Sequence, residues 1–215
     1  MSEKTAEIID IYNKIKPEIT DRIKEFKNIW LKSTEEEIFA ELVFCIMTPQ
    51  SKARSCGKAL QILKEKNLIM EGSSEEIAKN INIVRFRNNK ASYIVNARKL
   101  LSENGSLKIK KKLINAGSPS EMRYWLVSNI KGIGFKEASH FLRNTGFGGS
   151  LAILDRHILK NMLLLSVINE IPASIPPKRY MELEQKLLNF AKKIKIPPDH
   201  LDFVLWYKEA GEVYK

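Results

Sequence analysis

The sequence predicts an all-α fold of roughly ten helices joined by short loops, and three observations predict it. Apolar residues recur at three- and four-residue spacing, as in Ile8, Ile11, Tyr12 and Ile15, and again in Ile19, Ile23, Phe26 and Trp30. Helix-start signals recur along the chain. No stretch alternates apolar and polar residues long enough to make a useful strand, and Ile81–Val84 is the one short β-like run.

In chain order, the N-terminal residues Met1-Ser2-Glu3-Lys4 open a helix-like stretch and not a signal peptide. Ser33, with Glu36 three residues on, reads as a capping box ahead of Ile38-Phe39. The apolar run Leu42–Met47 places Cys45 in the core. Breaks are expected at Pro49, at Glu71–Ser74, at Asn104-Gly105, at Gly117–Pro119, at Gly146–Ser150, at Pro176-Pro177 and at Pro197-Pro198. Ser118-Pro119-Ser120-Glu121 combines a cap, a first-turn proline and a third-position glutamate before Tyr124–Val127. No long linker intervenes, so any two domains must be closely packed.

Composition narrows the partners. The 215 residues carry 36 Lys and Arg against 25 Asp and Glu, a net charge of +11. An excess of that size favours a polyanion, although a basic surface has other uses. Cys45 and Cys56 are the only cysteines, too few for a four-cysteine iron–sulfur cluster or zinc site. His140, His157 and His200 show no metal-ligand spacing, so no metal is expected. Sparse cysteine fits an intracellular compartment, and no apolar run is long enough to span a membrane.

The most informative segment runs from Leu126 to Leu142. An apolar helix meets Gly132-Ile133-Gly134, and a second helix begins near Phe135 with Ala138, Phe141 and Leu142 on one face. The two glycines are read as allowing backbone angles closed to other residues, and as leaving amides open to a phosphate. Ile133 pins the turn inward. A Gly-x-Gly by itself also marks ordinary tight turns. Between two apolar helices in a basic chain, it looks like a helix-hairpin-helix, a clamp on the DNA backbone that reads no sequence.

Lys136 lies in the first turn of the second helix. The helix dipole disfavours a cation there, and partial burial adds to the effect, as a nucleophilic amine requires. On spacing alone it is one surface lysine among many. Asp155 stands where Leu151–Leu154 gives way to Arg156-His157-Ile158. It is suited to cap a helix, and alone it would be read as a cap.

The two together carry a resemblance. Gly132-Ile133-Gly134-Phe135-Lys136, followed nineteen positions after the lysine by Asp155 in Leu-Asp-Arg-His-Ile, is similar to the signature of the helix-hairpin-helix DNA glycosylase superfamily. The resemblance covers most of the chain. It implies a six-helix barrel over 34–154 that ends in the hairpin (about 120–145). It also implies a second helical domain from 1–33 and 155–215, with the active site in the cleft between the two. The chain lacks both the cluster loop of the endonuclease III branch and the N-terminal β-domain of eukaryotic 8-oxoguanine glycosylases. Met47–Ala53, Arg85–Ala91 and Leu205 to Lys215 resemble segments of the type-2 8-oxoguanine DNA glycosylase/AP lyases of archaea and some bacteria.

The resemblance implies Lys136 as the covalent nucleophile and Asp155 as its partner. Lys136 attacks C1′, Asp155 stabilises charge developing on the sugar, and the Schiff base breaks the strand by β-elimination. It further implies that Phe86 and Trp206 contact the flipped base, and that Lys215 distinguishes 8-oxoguanine from guanine. Gly132 and Gly134 meet DNA, and Gln50 fills the gap left by the flipped base. Taken without the resemblance, Trp206 suits a core, Lys215 a frayed tail and Gln50 a helix start. Arg85, Arg87, Lys90, Arg98, Lys52 and Arg54 are candidates for phosphate contacts. The expected partner is double-stranded DNA containing oxidised guanine, met by a monomer without cofactors. The alternatives are the same chemistry on oxidised pyrimidines or an unpaired normal base, or a hairpin module that only binds DNA.

Overall fold

Helix follows helix in the computed structural model, which describes residues 2–213. The helices are α1 (Glu3–Lys32), α2 (Glu35–Met47), α3 (Ala53–Glu65), α4 (Leu68–Glu71), α5 (Ser74–Asn80), α6 (Arg87–Leu101), α7 (Ile109–Ala116), α8 (Pro119–Asn129), α9 (Phe135–Asn144), α10 (Arg156–Leu164), α11 (Pro177–Ile194) and α12 (Pro198–Ala210). A two-residue hairpin, β1 (Ser102–Glu103) with β2 (Ser106–Leu107), turns at the Asn104-Gly105 break. The protein is thus all-α, as expected. Among the described residues, no helix is long and apolar enough to cross a membrane.

Start and stop chemistry fixes these bounds. Thr34, not Ser33, caps α2, and its box partner is Glu37: Glu37 N–H donates to Thr34 Oγ1 at 3.2 Å, and Thr34 N–H donates to Glu37 Oε2 at 2.8 Å. The expected box is therefore one residue too early. Ser118 and Glu121 form the expected box at α8, with Pro119 in its first turn. Ser73 and Glu76 form another at α5, within a segment read only as a break. Ile81–Val84 is a turn, closed by Val84 N–H donating to Ile81 O at 2.9 Å. Among the described residues no neighbouring strand offers it a ladder, so its β propensity goes unused.

Contacts divide the chain into two units: residues 29–141, and residues 1–28 together with those from 142 onward. The divisions fall inside α1 and inside α9. The reason lies in α9. His140 meets Phe44 edge-on at 5.8 Å in the first unit, whereas Arg143, three residues on, pairs with Asp202 at 3.0 Å in the second. One unbroken helix serves both cores, and composition carries no mark of that.

In the first unit, α2 is the centre. Every residue from Ile38 to Met47 is buried, Cys45 included, and a helix that is apolar all round belongs inside. α3, α6 and α7 pack on it. In the second unit, α10 and α11 pack on α12. The Arg143 guanidinium lies 4.4 Å from the Phe203 ring and 5.2 Å from that of Phe26. The apolar run Leu151–Leu154 is buried without being helical. Its backbone is satisfied by α11: Ala152 N–H donates to Glu184 Oε1 at 2.7 Å, and the Tyr180 hydroxyl donates to Ala152 O at 2.7 Å. Paired in this way, a buried extended segment needs no sheet.

Candidate active site

The hairpin is built as expected, with two corrections. Helices α8 and α9 are joined by the buried Arg123, whose guanidinium donates to Ser139 Oγ at 3.2 Å and lies 5.5 Å from the Phe135 ring. Tyr124 meets Phe135 edge-on at 5.2 Å. Between the helices Ile133 points inward, 6% exposed. Gly132 has φ +86°, and a Cβ there would lie 2.2 Å from the Tyr93 ring. Gly134 needs no such angle, and a Cβ there would meet only Glu137 Oε2, at 3.1 Å. Only the first glycine is thus required for its backbone. Secondly, the Gly134 amide is occupied: it donates to Glu137 Oε2 at 3.3 Å. The anion at this helix start is the chain's own carboxylate.

Lys136 is the second residue of α9, and its ammonium lies 2.9 Å from the other Glu137 oxygen, Oε1. The Lys136 side chain is 26% exposed and that of Glu137 11%. One carboxylate thus links the candidate nucleophile to the hairpin turn. Sequence reasoning missed Glu137. A glutamate three residues after the cap position Gly134 is the half-box signal that finds it.

Gln50 and Phe86 sit in the same unit on two exposed turns, both in left-handed backbone, with φ +54° and +57°. Gln50 therefore does not start a helix. Phe86 immediately precedes α6, is 54% exposed, and borders an open hollow of about 400 Å³ with Asn82, Val84, Arg87, Asn88 and Asn89. Arg85 lies over its ring at 5.6 Å.

Two candidate phosphate ligands are committed elsewhere. Lys90 is buried, and its ammonium donates to Met47 O, Pro49 O and Ser51 Oγ at 2.6, 2.7 and 3.0 Å. Burial, the largest influence, lowers its pKa from the ordinary lysine value. Arg98 donates to Ile69 O at 3.0 Å and Gly72 O at 2.8 Å, tying down the α4–α5 connection. Arg85, Arg87, Lys52 and Arg54 remain on the surface. The signal for Lys90 is its register: Lys90, Ile94, Ala97 and Leu101 share the buried face of α6.

In the other unit Asp155 caps α10. Its Oδ1 accepts from His157 N–H and Ile158 N–H, both at 2.8 Å. Both bonds use one oxygen, so capping leaves Oδ2 for other work. The His157 ring meets Trp206 edge-on at 5.2 Å, and its Nδ1 lies 3.7 Å from Glu209 Oε2. Trp206 is half-buried on α12, and among the described residues its indole N–H has no acceptor. The Asp202 carboxyl is pushed up to about 6 by burial, with Arg143 opposing and Asp155 and Asp199 adding to the rise. The Cys56 thiol is pushed up to about 11 by burial, against Lys90 and Lys136. Lys215 lies outside the described residues.

Comparison with known proteins meets this geometry. A family model described as 8-oxoguanine DNA glycosylase, of helix-hairpin-helix type, matches residues 19–196. The 8-oxoguanine DNA glycosylase/AP lyase of Fusobacterium nucleatum is 47% identical, covering 100% of this chain and 99% of its own. The crystal structure of the 8-oxoguanine DNA glycosylase of Thermotoga maritima superposes with a TM-score of 0.87 at 37% identity, covering 98% of each chain. The Methanocaldococcus jannaschii 8-oxoguanine glycosylase/lyase, solved in complex with a 15mer DNA containing 8-oxoguanine, gives a TM-score of 0.87 at 35% identity over 98% of this chain and 99% of its own. The chain belongs to the helix-hairpin-helix 8-oxoguanine DNA glycosylases, a family of DNA-repair enzymes.

Proposed function

We propose that the protein removes 8-oxoguanine from double-stranded DNA and cuts the strand 3′ to the abasic site through a Schiff base on Lys136. The observation that carries this reading is the Lys136 amine, two residues after a hairpin glycine and 2.9 Å from a carboxylate. A module that only binds DNA needs neither group. The names of the full-length relatives favour oxidised guanine over oxidised pyrimidines.

The damaged nucleotide leaves the stack, at a cost of about a few kcal/mol. The Lys136 ammonium gives a proton to Glu137. The free amine then attacks C1′ as the glycosidic bond breaks, and the base departs with the bonding pair and takes up a proton. Asp155 stabilises the positive charge developing on the sugar. Ring opening at O4′ gives the Schiff base. Loss of a C2′ proton then expels the 3′ phosphate, and water frees the lysine. Phe86 and Trp206 contact the extruded base. The terminal carboxylate of Lys215 accepts from the N7–H that only the oxidised base carries; guanine would leave that acceptor unpaired. Gln50 fills the vacated stack, and Gly132 and the basic surface hold the backbone. One copy suffices for one extruded base, so the protein acts as a monomer.

Single-turnover excision from duplexes carrying 8-oxoguanine, an oxidised pyrimidine or guanine at one position tests the substrate. The expected order puts 8-oxoguanine first. Faster release of the oxidised pyrimidine overturns the assignment of the base while leaving the lyase intact.

A further inference from the structure

Lys90 is the fourth residue of α6 and is 4% exposed. An ammonium has three donors, and all three are taken, at 2.6, 2.7 and 3.0 Å. The acceptors all lie within residues 47–51, the last residue of α2 and the turn that follows it. That turn presents Gln50, exposed and left-handed. The third acceptor, Ser51 Oγ, also accepts from Arg85 N–H at 3.1 Å. Arg85 is followed directly by Phe86, which is likewise exposed and left-handed. Left-handed backbone at a residue with a side chain persists where its surroundings over-determine it. The ammonium braces the first turn, and the Ser51 hydroxyl ties the second to it.

We propose that Lys90 and Ser51 are positioning residues that preset Gln50 and Phe86 as a pair for the extruded-base state. Base excision then depends on the knot, and cutting at a site already abasic does not. The inference rests on the activity proposed above. Excision requires a base to be drawn from the stack, held, and its gap filled. An abasic site has no base to draw. Fixing the two contacts in advance removes the ordering that binding would otherwise have to supply.

Two reactions of the full chain separate the roles: single-turnover release of 8-oxoguanine from a duplex, and cutting of the same duplex carrying a preformed abasic site. Ser51→Ala unhooks Arg85 from the turn, and is expected to slow release roughly ten- to a hundredfold while abasic cutting stays within about threefold. Ser51→Thr keeps the hydroxyl and restores release. Lys90→Met gives a larger version of the same split; should it fail to fold, the two Ser51 variants decide. A parallel fall in both reactions together with the melting temperature marks a merely structural residue and overturns the proposal. So does unchanged release by Ser51→Ala. A wild-type protein inactive in both reactions sinks the activity itself, and this inference with it, which is a different result.

Discussion

Gly132→Ala tests the hairpin turn most sharply. The wild-type residue has φ +86°, and a Cβ would lie 2.2 Å from Tyr93 Cδ2 and 2.8 Å from Cε2. Left-handed backbone costs an alanine about 1–2 kcal/mol. Overpacking against a ring adds about 1–3 kcal/mol. The sum is about 2–5 kcal/mol, or a fall of roughly 4–20 °C in the unfolding transition for a chain of this length. Thermal and denaturant unfolding by circular dichroism measure it. Tyr93→Ala in the same chain removes the steric part, so the double variant should be about 1–3 kcal/mol less destabilised than the sum of the single variants. Gly149→Ala is the control, since nothing lies within 4 Å of its Cβ position. Unchanged stability in Gly132→Ala, or strict additivity with Tyr93→Ala, refutes the turn geometry.

Other expectations concern charge. Glu137→Gln keeps an acceptor for the Gly134 amide but loses the carboxylate beside Lys136. Schiff-base formation at neutral pH should slow by about 10²-fold and recover as pH rises; a wild-type pH profile would exclude Glu137 as proton acceptor. Asp202 in the folded state holds its proton to about pH 6, whereas the free carboxyl gives it up near 3.8. The folded state therefore binds the extra proton in that window, and stability falls as pH rises through it. Asp202→Asn removes this loss, so between pH 4 and 7 the variant should gain about 2 kcal/mol relative to wild type. Urea unfolding across that range measures it, and a constant difference shows that Asp202 titrates normally.

Much of this was legible in the sequence because the signals are local. Ser118 and Glu121 specify the start of α8 by reaching each other within one turn. Gly132 sits at the tightest point of the hairpin, and Asp155 caps α10, as their neighbours in the chain imply. What escaped depends on distant partners. Lys90 reads as a surface cation until carbonyls some forty positions away surround its ammonium. Ile81–Val84 reads as a strand because nothing local says that no strand lies beside it. The division within α9 is invisible because the helix does not break there. Glu137 was legible but overlooked, because attention fell on the glycines and the lysine on either side.

The central claim is that Lys136 is the covalent nucleophile. Borohydride trapping on a duplex containing 8-oxoguanine measures it directly, because reduction turns a Schiff base into a stable crosslink. Wild-type protein should form that crosslink, and Lys136→Gln should form none while its duplex affinity stays within about threefold. A crosslink that survives in Lys136→Gln, or a wild-type protein that binds the duplex tightly and never crosslinks, contradicts the account.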